Sequence, residues 1–402
     1  MRPKVAVVVA IASRWKRVTS APGVRSVGDD TGAPKPPITG PRGGASGRYD
    51  ARVKPISGTP VDHIRARVDD VLIAFLAQER ARTAELGPEA LQPIDELVRV
   101  VRAGGKRLRP SFCYWGYRAA GRDDDDAIVR ASASLELLHT FAIIHDDVMD
   151  RSPLRRGQAA THVAMAAGGD DHFGTSAAIL VGDLALALAD TLLADAGFGP
   201  EAFMRGLHWY NRMRTEVITG QYLDVAASRS PVIDEETARR IASLKSGGYT
   251  VEKPLLIGAA LGDASQEVMA VLSAYGMLLG EAFQLRDDVL GAFGDPVVTG
   301  KDADGDLREG KRTVLVARAL EAASPRDRDF LTDRLGAQDL ASAEADRIRD
   351  IFRSSGALAS TQALIDAHRN VALAALDATS SLPDGVTDAL AALADLAVVR
   401  ES

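Results

Sequence analysis

The sequence predicts an all-α protein, a large helical bundle that forms one domain, and three observations support this. From about Val61 onward, apolar residues recur at spacings of three and four, the period of an amphipathic helix. Alternating strand patterns bounded by Asn-Gly or Asp-Gly turns are lacking. With 46% hydrophobic and 26% charged residues, the 402-residue chain has enough apolar surface for a large core.

Residues 1–60 precede this domain and are predicted to be a disordered, basic tail. They hold 11 Lys/Arg and 3 Asp/Glu, a charge of +8, whereas residues 61–402 carry −15. They also hold 8 of the 18 prolines and 8 of the 36 glycines. The apolar run 5–12 is short, is closed by basic residues and lacks a persuasive cleavage site, so we do not expect an export signal. The folded domain is expected over 61–402.

The helices of the domain follow in order from their periodicity. Apolar residues at helical spacing begin at Ile64 and resume at Ile94. A long helix over Ala131–Asp150 ends just before Pro153, a residue that stops helices. Similar patterns cover 176–196, 201–228, 235–261, 265–293, 312–323 and 356–377. The most apolar run, 177–193, contains Asp183 and Asp190 and is therefore predicted to be a core helix rather than a membrane span.

Composition excludes several functional classes. A single cysteine, Cys113, excludes a disulfide framework and a cysteine-based zinc site, and it suits a reducing cytoplasm. Aromatic residues make up 5% of the chain, too few for base-stacking surfaces, and the net charge of −7 argues against a nucleic-acid partner. Without a lipidation motif, the tail is expected to make at most peripheral contact with a membrane.

The end of helix 131–150 carries a first acidic motif, His145-Asp146-Asp147-Val148-Met149-Asp150. Asp146 and Asp150 lie four residues apart, on one helical face, and Asp147 lies beside them. Like charges at this spacing destabilise a helix unless a cation binds there. Carboxylates without a nearby thiol favour a hard divalent cation, and Mg²⁺ takes one or two carboxylates together with phosphate oxygens.

A second acidic motif, Gln284-Leu285-Arg286-Asp287-Asp288, ends another long apolar helix. Two Asp-Asp pairs that face one cavity are suited to three Mg²⁺ ions and a diphosphate, with Mn²⁺ as a substitute metal. The two acidic motifs together therefore predict a metal site shared between two helices.

Basic residues follow the same pattern of short clusters. Gly104-Gly105-Lys106-Arg107-Leu108-Arg109-Pro110 combines three cations with glycines that let the backbone approach an anion. Its spacing differs from that of a P-loop. Arg155-Arg156-Gly157 comes just after the first acidic motif, and Lys245, Lys301 and Lys311 lie further along. We interpret these clusters as two phosphate-binding sets, one acting through metal and one directly.

In combination, these stretches resemble the trans-isoprenyl diphosphate synthases, or polyprenyl synthetases, over roughly residues 61–400. The sequences GGKRLRP, LLHTFAIIHDDVMDRSPLRRG and FQLRDDVLGAFGD, followed by two Gly-Lys pairs, occur in the order and spacing of that family. The resemblance implies an all-α fold of the isoprenoid synthase type around a central cavity. It also implies a homodimer that condenses isopentenyl diphosphate with an allylic diphosphate.

The resemblance also implies roles for individual residues. Asp146 and Asp150 would bind Mg²⁺ with support from Asp147, and Asp287 would bind a further Mg²⁺ beside Asp288. The residues implied for isopentenyl diphosphate are Lys106, Arg109, His139 and Arg156. Those implied for the allylic diphosphate are Arg155, Lys245, Lys301 and Lys311. Ser246 and Gln284 would offer oxygen atoms to the allylic cation, and Gln221 and Asp224 would line the same cavity.

The chemistry that follows is ionisation of the allylic C–O bond. Mg²⁺ and the cationic side chains stabilise the departing diphosphate, while an apolar cavity protects the carbocation from water. The resemblance implies that the released diphosphate accepts the proton lost afterwards. His145 is therefore expected to be structural. Lys245, Ser246, Gln284 and Arg155 are the residues expected to act on the reacting atoms.

One position departs from the family pattern. The second motif commonly reads Asp-Asp-x-x-Asp, whereas its last position here is Gly291. Asp295, four residues later, is a candidate to compensate. We expect the enzyme to remain active without this aspartate. A weaker affinity for the metal is a further consequence that the sequence leaves open.

Product length is predicted from the bulk of Phe141 and Ala142, five and four residues before Asp146. A single aromatic residue as the floor under the growing chain resembles the geranylgeranyl (C20) pattern more than the farnesyl (C15) pattern. A farnesyl or longer-chain synthase remains the alternative. A class I terpene cyclase is disfavoured because its second motif has a different form, and a non-catalytic subunit is disfavoured because both acidic motifs are present.

Overall fold

The computed structural model describes residues 60–166, 168–230, 232–294 and 304–398, and these residues fold as a helical bundle. The predicted tail therefore lies outside the described residues, except for residue 60. The helices are α1 (Pro60–Ala84), α2 (Leu91–Arg102), α3 (Leu108–Ala119), α4 (Asp126–Asp150), α5 (Thr161–Met165), α6 (Asp171–Ala194), α7 (Pro200–Ala227), α8 (Glu235–Ala242), α9 (Lys253–Leu261), α10 (Gln266–Phe293), α11 (Gly305–Glu309), α12 (Val314–Ala322), α13 (Pro325–Arg334), α14 (Ser342–Ser354), α15 (Ala357–Asp377) and α16 (Val386–Val398). A 3₁₀ turn spans Pro88–Ala90, and a π-helix spans Ser243–Glu252. The all-α prediction is confirmed.

Side-chain caps define where several of these helices begin. The carboxylate of Asp125 accepts a hydrogen bond from the Ile128 backbone N–H at the start of α4. Asp170 does the same for Phe173 at the start of α6, and Ser265 for Val268 at the start of α10. Such caps satisfy backbone N–H groups that have no partner within the helix.

The core lies between these long helices. α4 packs along α6, and α10 packs against both the π-helix and α15. The fully buried aromatic side chains are Phe112, Tyr210, Tyr275 and Phe352. Among the described residues, three helices, α4, α6 and α10, are long and apolar enough to cross a membrane by length and composition. Of their most apolar windows, 72%, 50% and 61% are buried inside the fold. They are the helices that hold the bundle together.

The predicted range 235–261 is helical throughout, but its middle is not a regular α-helix. The chain forms α8, the ten-residue π-helix and α9 instead. Within the π-helix, Gly247 packs closely against α10, since a side chain at this position would come within 2.8 Å of the Gly280 backbone. π-Helical turns are rare and occur often at functional sites.

A two-residue hairpin follows α4, with β1 (Leu154–Arg155) antiparallel to β2 (Gln158–Ala159). Its turn residues, Arg156 and Gly157, both have positive φ angles, 52° and 73°. Tight two-residue hairpin turns of this kind require positive φ at both central positions. The hairpin thus turns the two predicted arginines back beside the end of α4.

Candidate active site

One large cavity, of about 590 Å³, brings together the two acidic motifs and most of the predicted cations. The end of α4, the end of α10, the π-helix, the loop before α3, the hairpin and the segment before α12 all contribute to its wall. Predicted residues in the wall are Lys106, Arg109, His139, Asp146, Arg155, Arg156, Asp224, Lys245, Ser246, Gln284, Asp287, Asp288 and Lys311.

Asp146 is the most heavily engaged carboxylate of the first motif. Lys245 Nζ lies 3.0 Å from its Oδ1, and Gln221 Nε2 donates a hydrogen bond of 2.9 Å to the same atom. Lys245 Nζ also lies 2.6 Å from Asp224 Oδ2. Burial opposes ionisation of Asp146, but Lys245, Lys311 and Arg155 outweigh it and hold the pKa of this carboxyl below its usual value. Asp146 is therefore a fixed anion at the centre of the cavity.

Asp150, on the same face of α4, lies beside Lys311. The Lys311 Nζ is 3.5 Å from Asp150 Oδ2 and 2.7 Å from Glu309 Oε2. Asp150 Oδ2 is buried and accepts no hydrogen bond. Burial and the charge of Asp146 raise the pKa of Asp150 to about 6. The negative charge of a carboxylate in this position is poorly balanced by its neighbours, so the group is suited to bind a divalent cation.

Asp147 has a different position from the one predicted for a metal-binding group. It is buried, does not line the cavity, and accepts a hydrogen bond of 2.8 Å from Arg155 Nε. Arg155 Nη2 lies 3.5 Å from Asp146 Oδ2. Asp147 thus holds the Arg155 guanidinium beside the first motif.

The second motif lies across the cavity on α10. Gln284 Nε2 donates a hydrogen bond of 2.7 Å to Asp288 Oδ1, so the i, i+4 pair predicted from sequence is in contact. Burial raises the pKa of Asp288 to about 7, and the charges of Asp306 and Asp287 add to the effect. The acidic side chains on this wall therefore repel one another unless a cation lies between them.

Gly291 and Asp306 are in close contact. A Cβ atom at position 291 would lie 1.7 Å from Asp306 Oδ2, so the Asp306 carboxylate occupies the space where a side chain at 291 would begin. Asp306 Oδ1 lies 3.4 Å from Lys311 Nζ. Asp295, the predicted compensating residue, lies outside the described residues, as does Lys301.

The opposite end of the cavity is positively charged. Arg109 Nη2 donates a hydrogen bond of 2.8 Å to Thr250 Oγ1, and its guanidinium lies 4.4 Å from the centre of the Tyr249 ring. Arg156 donates to the Gly104 carbonyl, which joins the hairpin to the glycine loop. Burial lowers the pKa of His139, and the nearby arginines lower it further. This end is suited to bind a highly charged anion such as a diphosphate.

Beneath Asp146 lies a second cavity of about 460 Å³ with a mainly apolar wall. Phe141 and Ala142 line it, as predicted from their spacing. α7 contributes Val217, Ile218 and Gln221, while Lys245, Ser246 and Tyr249 line it from the π-helix. An apolar chain bound here would extend away from the charged cavity.

Sequence reasoning missed several residues of the wall. Thr250 lies five residues after Lys245, and only the π-helix brings both into one cavity. Asp306 contacts Lys311 past the end of α11, and their separation of five residues matches no helical spacing that could have identified the contact. Arg312 also lines the cavity, and its Nε donates to the Ser230 carbonyl.

The donor set fits divalent metal ions that share their ligands with a substrate. Within residues 60–166, 168–230, 232–294 and 304–398, no three Asp, Glu, His or Cys side chains lie close enough to enclose a metal ion by themselves. Mg²⁺ commonly keeps water molecules and phosphate oxygens while it binds one or two carboxylates. Asp146 on one wall, with Asp150 one turn further along α4 and outside the wall itself, and Asp287 and Asp288 on the other wall are the residues that would hold it.

Comparison with known proteins agrees with this arrangement. The sequence profile of the polyprenyl synthetase family matches residues 92–352. A short chain isoprenyl diphosphate synthase of Methanothermobacter thermautotrophicus is 33% identical over 339 residues, which are 83% of this chain and 99% of that protein. A geranylfarnesyl diphosphate synthase of Aeropyrum pernix is 36% identical over 266 residues, 65% of this chain and 79% of that protein.

Among solved structures, the geranylgeranyl pyrophosphate synthase of Corynebacterium glutamicum, complexed with isoprenyl diphosphate and magnesium, has a TM-score of 0.81. It is 36% identical, and the match covers 85% of this chain and 99% of that one. With a family profile that spans most of the described helices, and relatives aligned over nearly their whole length, the chain belongs to the polyprenyl synthetase family.

Proposed function

We propose that this protein joins isopentenyl diphosphate to an allylic diphosphate, head to tail, and that its main product is geranylgeranyl diphosphate (C20). The observation that carries the proposal is that the two cavities share several lining residues. A charged cavity with acidic and basic ends opens beside an apolar one, and Asp146, His139, Lys245 and Ser246 line both. A substrate with a diphosphate head and a hydrocarbon tail fits such a pair.

The allylic diphosphate is assigned to the acidic part of the cavity. When bound there, Mg²⁺ would neutralise the charge that develops on the departing diphosphate. Lys245, Lys311 and Arg155 lie beside the first-motif carboxylates and would bind the diphosphate oxygens. Lys301 is assigned to the same group from sequence alone.

The carbon centre that becomes cationic is assigned to the junction of the two cavities. Ser246 lies there on the π-helix. Gln284 lies across from it on α10, where its amide nitrogen is bonded to Asp288. The amide nitrogen is thus occupied, and we assign the amide oxygen and the Ser246 hydroxyl to face the developing positive charge. The apolar wall below excludes water.

Isopentenyl diphosphate is assigned to the basic end, formed by Lys106, Arg109, His139 and Arg156. His139 is buried among arginines with its pKa lowered, so it is neutral at pH 7 and can bind an anion as a hydrogen-bond donor only. The alkene then attacks the allylic carbon, a C–C bond forms, and the released diphosphate accepts the proton lost from the product.

The C20 assignment depends on Phe141 and Ala142 in the apolar cavity. The solved geranylgeranyl pyrophosphate synthase supports it, whereas the geranylfarnesyl relative makes a longer-chain product the first alternative. A farnesyl synthase is the second. We further propose three Mg²⁺ ions per site, with Mn²⁺ as a substitute, because each acidic wall offers separate carboxylates.

We propose a homodimer, supported by exposed apolar side chains on α6 and α7. Ile179, Leu180, Met204 and Ile218 are each more than 40% exposed, and exposed apolar side chains of this kind are often covered by a partner. We also propose a cytoplasmic enzyme, which suits the unpaired, buried Cys113. Residues 61–402 are proposed to act as one domain, with residues 1–60 as a tail.

Purified protein incubated with labelled isopentenyl diphosphate, an allylic primer and Mg²⁺ tests this function. We expect incorporation with at least one C5–C15 primer, no incorporation after chelation of the metal, and C20 alcohol after hydrolysis of the product. Absence of incorporation with every primer would reject the synthase function. A C15 or C25 product would reject only the C20 assignment.

A further inference from the structure

His145 is the first residue of the first acidic motif, and its ring lies between α4 and α6. Its Nε2 donates a hydrogen bond of 3.0 Å to the carbonyl oxygen of Ile179. The same nitrogen is 3.8 Å from Asp183 Oδ1. His145 also lines the apolar cavity, so one side chain contacts both the neighbouring helix and the space assigned to the hydrocarbon.

Gly182 provides the room for this ring. A Cβ atom at position 182 would lie 2.3 Å from both Cδ2 and Nε2 of His145. Real Cβ contacts are much longer, so any side chain at this position forces the imidazole to move. Because Ile179 and Gly182 lie on one face of α6, the ring and its hydrogen bond depend on the same short stretch of helix.

His145 in turn contacts Phe141. The two rings are 4.8 Å apart between centroids and meet edge to face at 66°. They lie four residues apart on α4, the spacing at which helical side chains touch. Movement of the His145 ring away from α6 therefore changes the space beside the Phe141 ring.

We infer that Gly182 and His145 help to set product length by fixing the position of the Phe141 ring in the apolar cavity. His145 acts as a positioning residue, and Gly182 is the position on α6 that lets it occupy its place. The inference rests on the proposed function, and in particular on Phe141 as the floor beneath the growing chain.

Gly182→Ala is expected to push the imidazole into the cavity and to shorten the product. The ratio of C15 to C20 product should rise by about tenfold, the discrimination that a methylene-sized change in an apolar pocket typically gives. His145→Ala has the opposite expected effect, since removal of the ring leaves Phe141 unsupported and lengthens the product.

The double variant separates this mechanism from a general loss of stability. In a His145→Ala background, the new methyl group at position 182 has no ring to displace, so Gly182→Ala should leave the product distribution of His145→Ala unchanged. Such dependence of one substitution on another is the signature of direct coupling. Product lengths are measured by chromatography of the dephosphorylated alcohols, and melting temperatures are recorded for every variant.

Gly174→Ala is the matched control on the same helix. Its Cβ would lie 2.3 Å from the His162 carbonyl oxygen, far in sequence from His145, so this variant should lose stability and keep the wild-type product ratio. A changed ratio in Gly174→Ala, an unchanged or longer product in Gly182→Ala, or equal effects of Gly182→Ala with and without His145 would overturn the inference.

Phe141→Ala separates the role of Phe141 as the floor from the positioning role of His145 and Gly182. If Phe141→Ala lengthens the product and Gly182→Ala does not alter it, the positioning inference is wrong and the floor stands. If Phe141→Ala leaves product length unchanged, the floor itself is wrong, and the inference is overturned with it.

Discussion

At the scale of single residues, the site is a set of opposite charges held close together. Asp146 is shared between Lys245 and Gln221, and Asp150 lies beside Lys311. In these contacts, the positive charges of the lysines balance the negative charges of the carboxylates. When a diphosphate binds with metal, these ion pairs would exchange partners. The lysines would bind phosphate oxygens, and the carboxylates would bind the metal ions.

Asp146→Asn tests the role of the first motif. Loss of one carboxylate charge at this position should lower kcat/KM by about 100-fold or more, since changes even to groups that support metal ligands typically cost 10- to 100-fold. Steady-state assays across a range of Mg²⁺ concentrations measure the effect. Calorimetric titration with inorganic diphosphate and Mg²⁺ should show weaker binding, independent of turnover.

Asp123→Asn is the control for this variant, because Asp123 lies in an exposed acidic loop away from the cavity. It should retain wild-type kinetics and metal dependence. A wild-type response of Asp146→Asn in both assays would remove this residue from the metal-binding group.

Arg107 shows why one cation of the Gly104–Pro110 motif does not line the cavity. It is buried, has a left-handed φ of 51°, and contacts Glu136 at 2.7 Å and Asp69 at 2.8 Å. These contacts anchor the junction between the loop that carries Lys106 and the first turn of α3 that carries Arg109. The sequence shows three cations within four residues, but only the fold decides which of them is structural.

Glu136→Gln is therefore expected to destabilise the protein strongly. Removal of one partner of a buried ion pair typically costs about 3–5 kcal/mol. Because Asp69 remains beside the Arg107 guanidinium, the loss is expected at the lower end of that range. Chemical denaturation measures the loss in the free energy of unfolding. Asp95→Asn, which breaks the exposed pair with Arg80, should change it little. Equal losses in the two variants would contradict the structural role of Arg107.

At the scale of elements, the π-helix does most to assemble the site. It places Lys245, Ser246 and Thr250 in the wall of the cavity, and its backbone contacts α10 where two glycines meet. A Cβ at Gly280 would lie 2.3 Å from the Gly247 carbonyl oxygen. The close approach brings Lys245 and Gln284 to the same cavity.

Gly280→Ala should force these two elements apart. Overpacking of this kind typically costs about 1–3 kcal/mol, and here it should also lower turnover because the π-helix shifts. Denaturation curves and steady-state kinetics together provide the test. Ala270→Ser, at an exposed position on the same helix, is the control and should alter neither. If Gly280→Ala unfolds at the same denaturant concentration as the wild type, the π-helix and α10 can accommodate a methyl group between them, which would contradict this prediction.

Element boundaries divide into those that sequence can predict and those it cannot. The predicted stop before Pro153 and the predicted helix 265–293 agree closely with α4 and α10, because caps and apolar periods are local signals. The sequence does not reveal the π-helix, because the apolar spacing over 235–261 is also compatible with a regular α-helix. The hairpin at Arg155 was also missed, since four residues are too few to show alternation.

At the scale of the whole molecule, the charge pattern has a physical explanation. The net charge of −7 combines a basic stretch over residues 1–60 with an acidic remainder. Within the remainder, carboxylates from α4 and α10 converge on one cavity, although Asp146 and Asp288 are far apart in sequence. Sequence could identify both motifs, but their convergence depends on helix packing over long distances. The same holds for Asp306 beside Gly291.

Product length, compared between the wild type and Phe141→Ala in one assay with labelled isopentenyl diphosphate, is the decisive test of the proposed enzyme and its floor residue. Since the Phe141 ring forms the floor of the apolar cavity, the wild type should stop at C20 and Phe141→Ala should add at least one further C5 unit. Equal product lengths in the two proteins, or no incorporation by the wild type, would contradict the account.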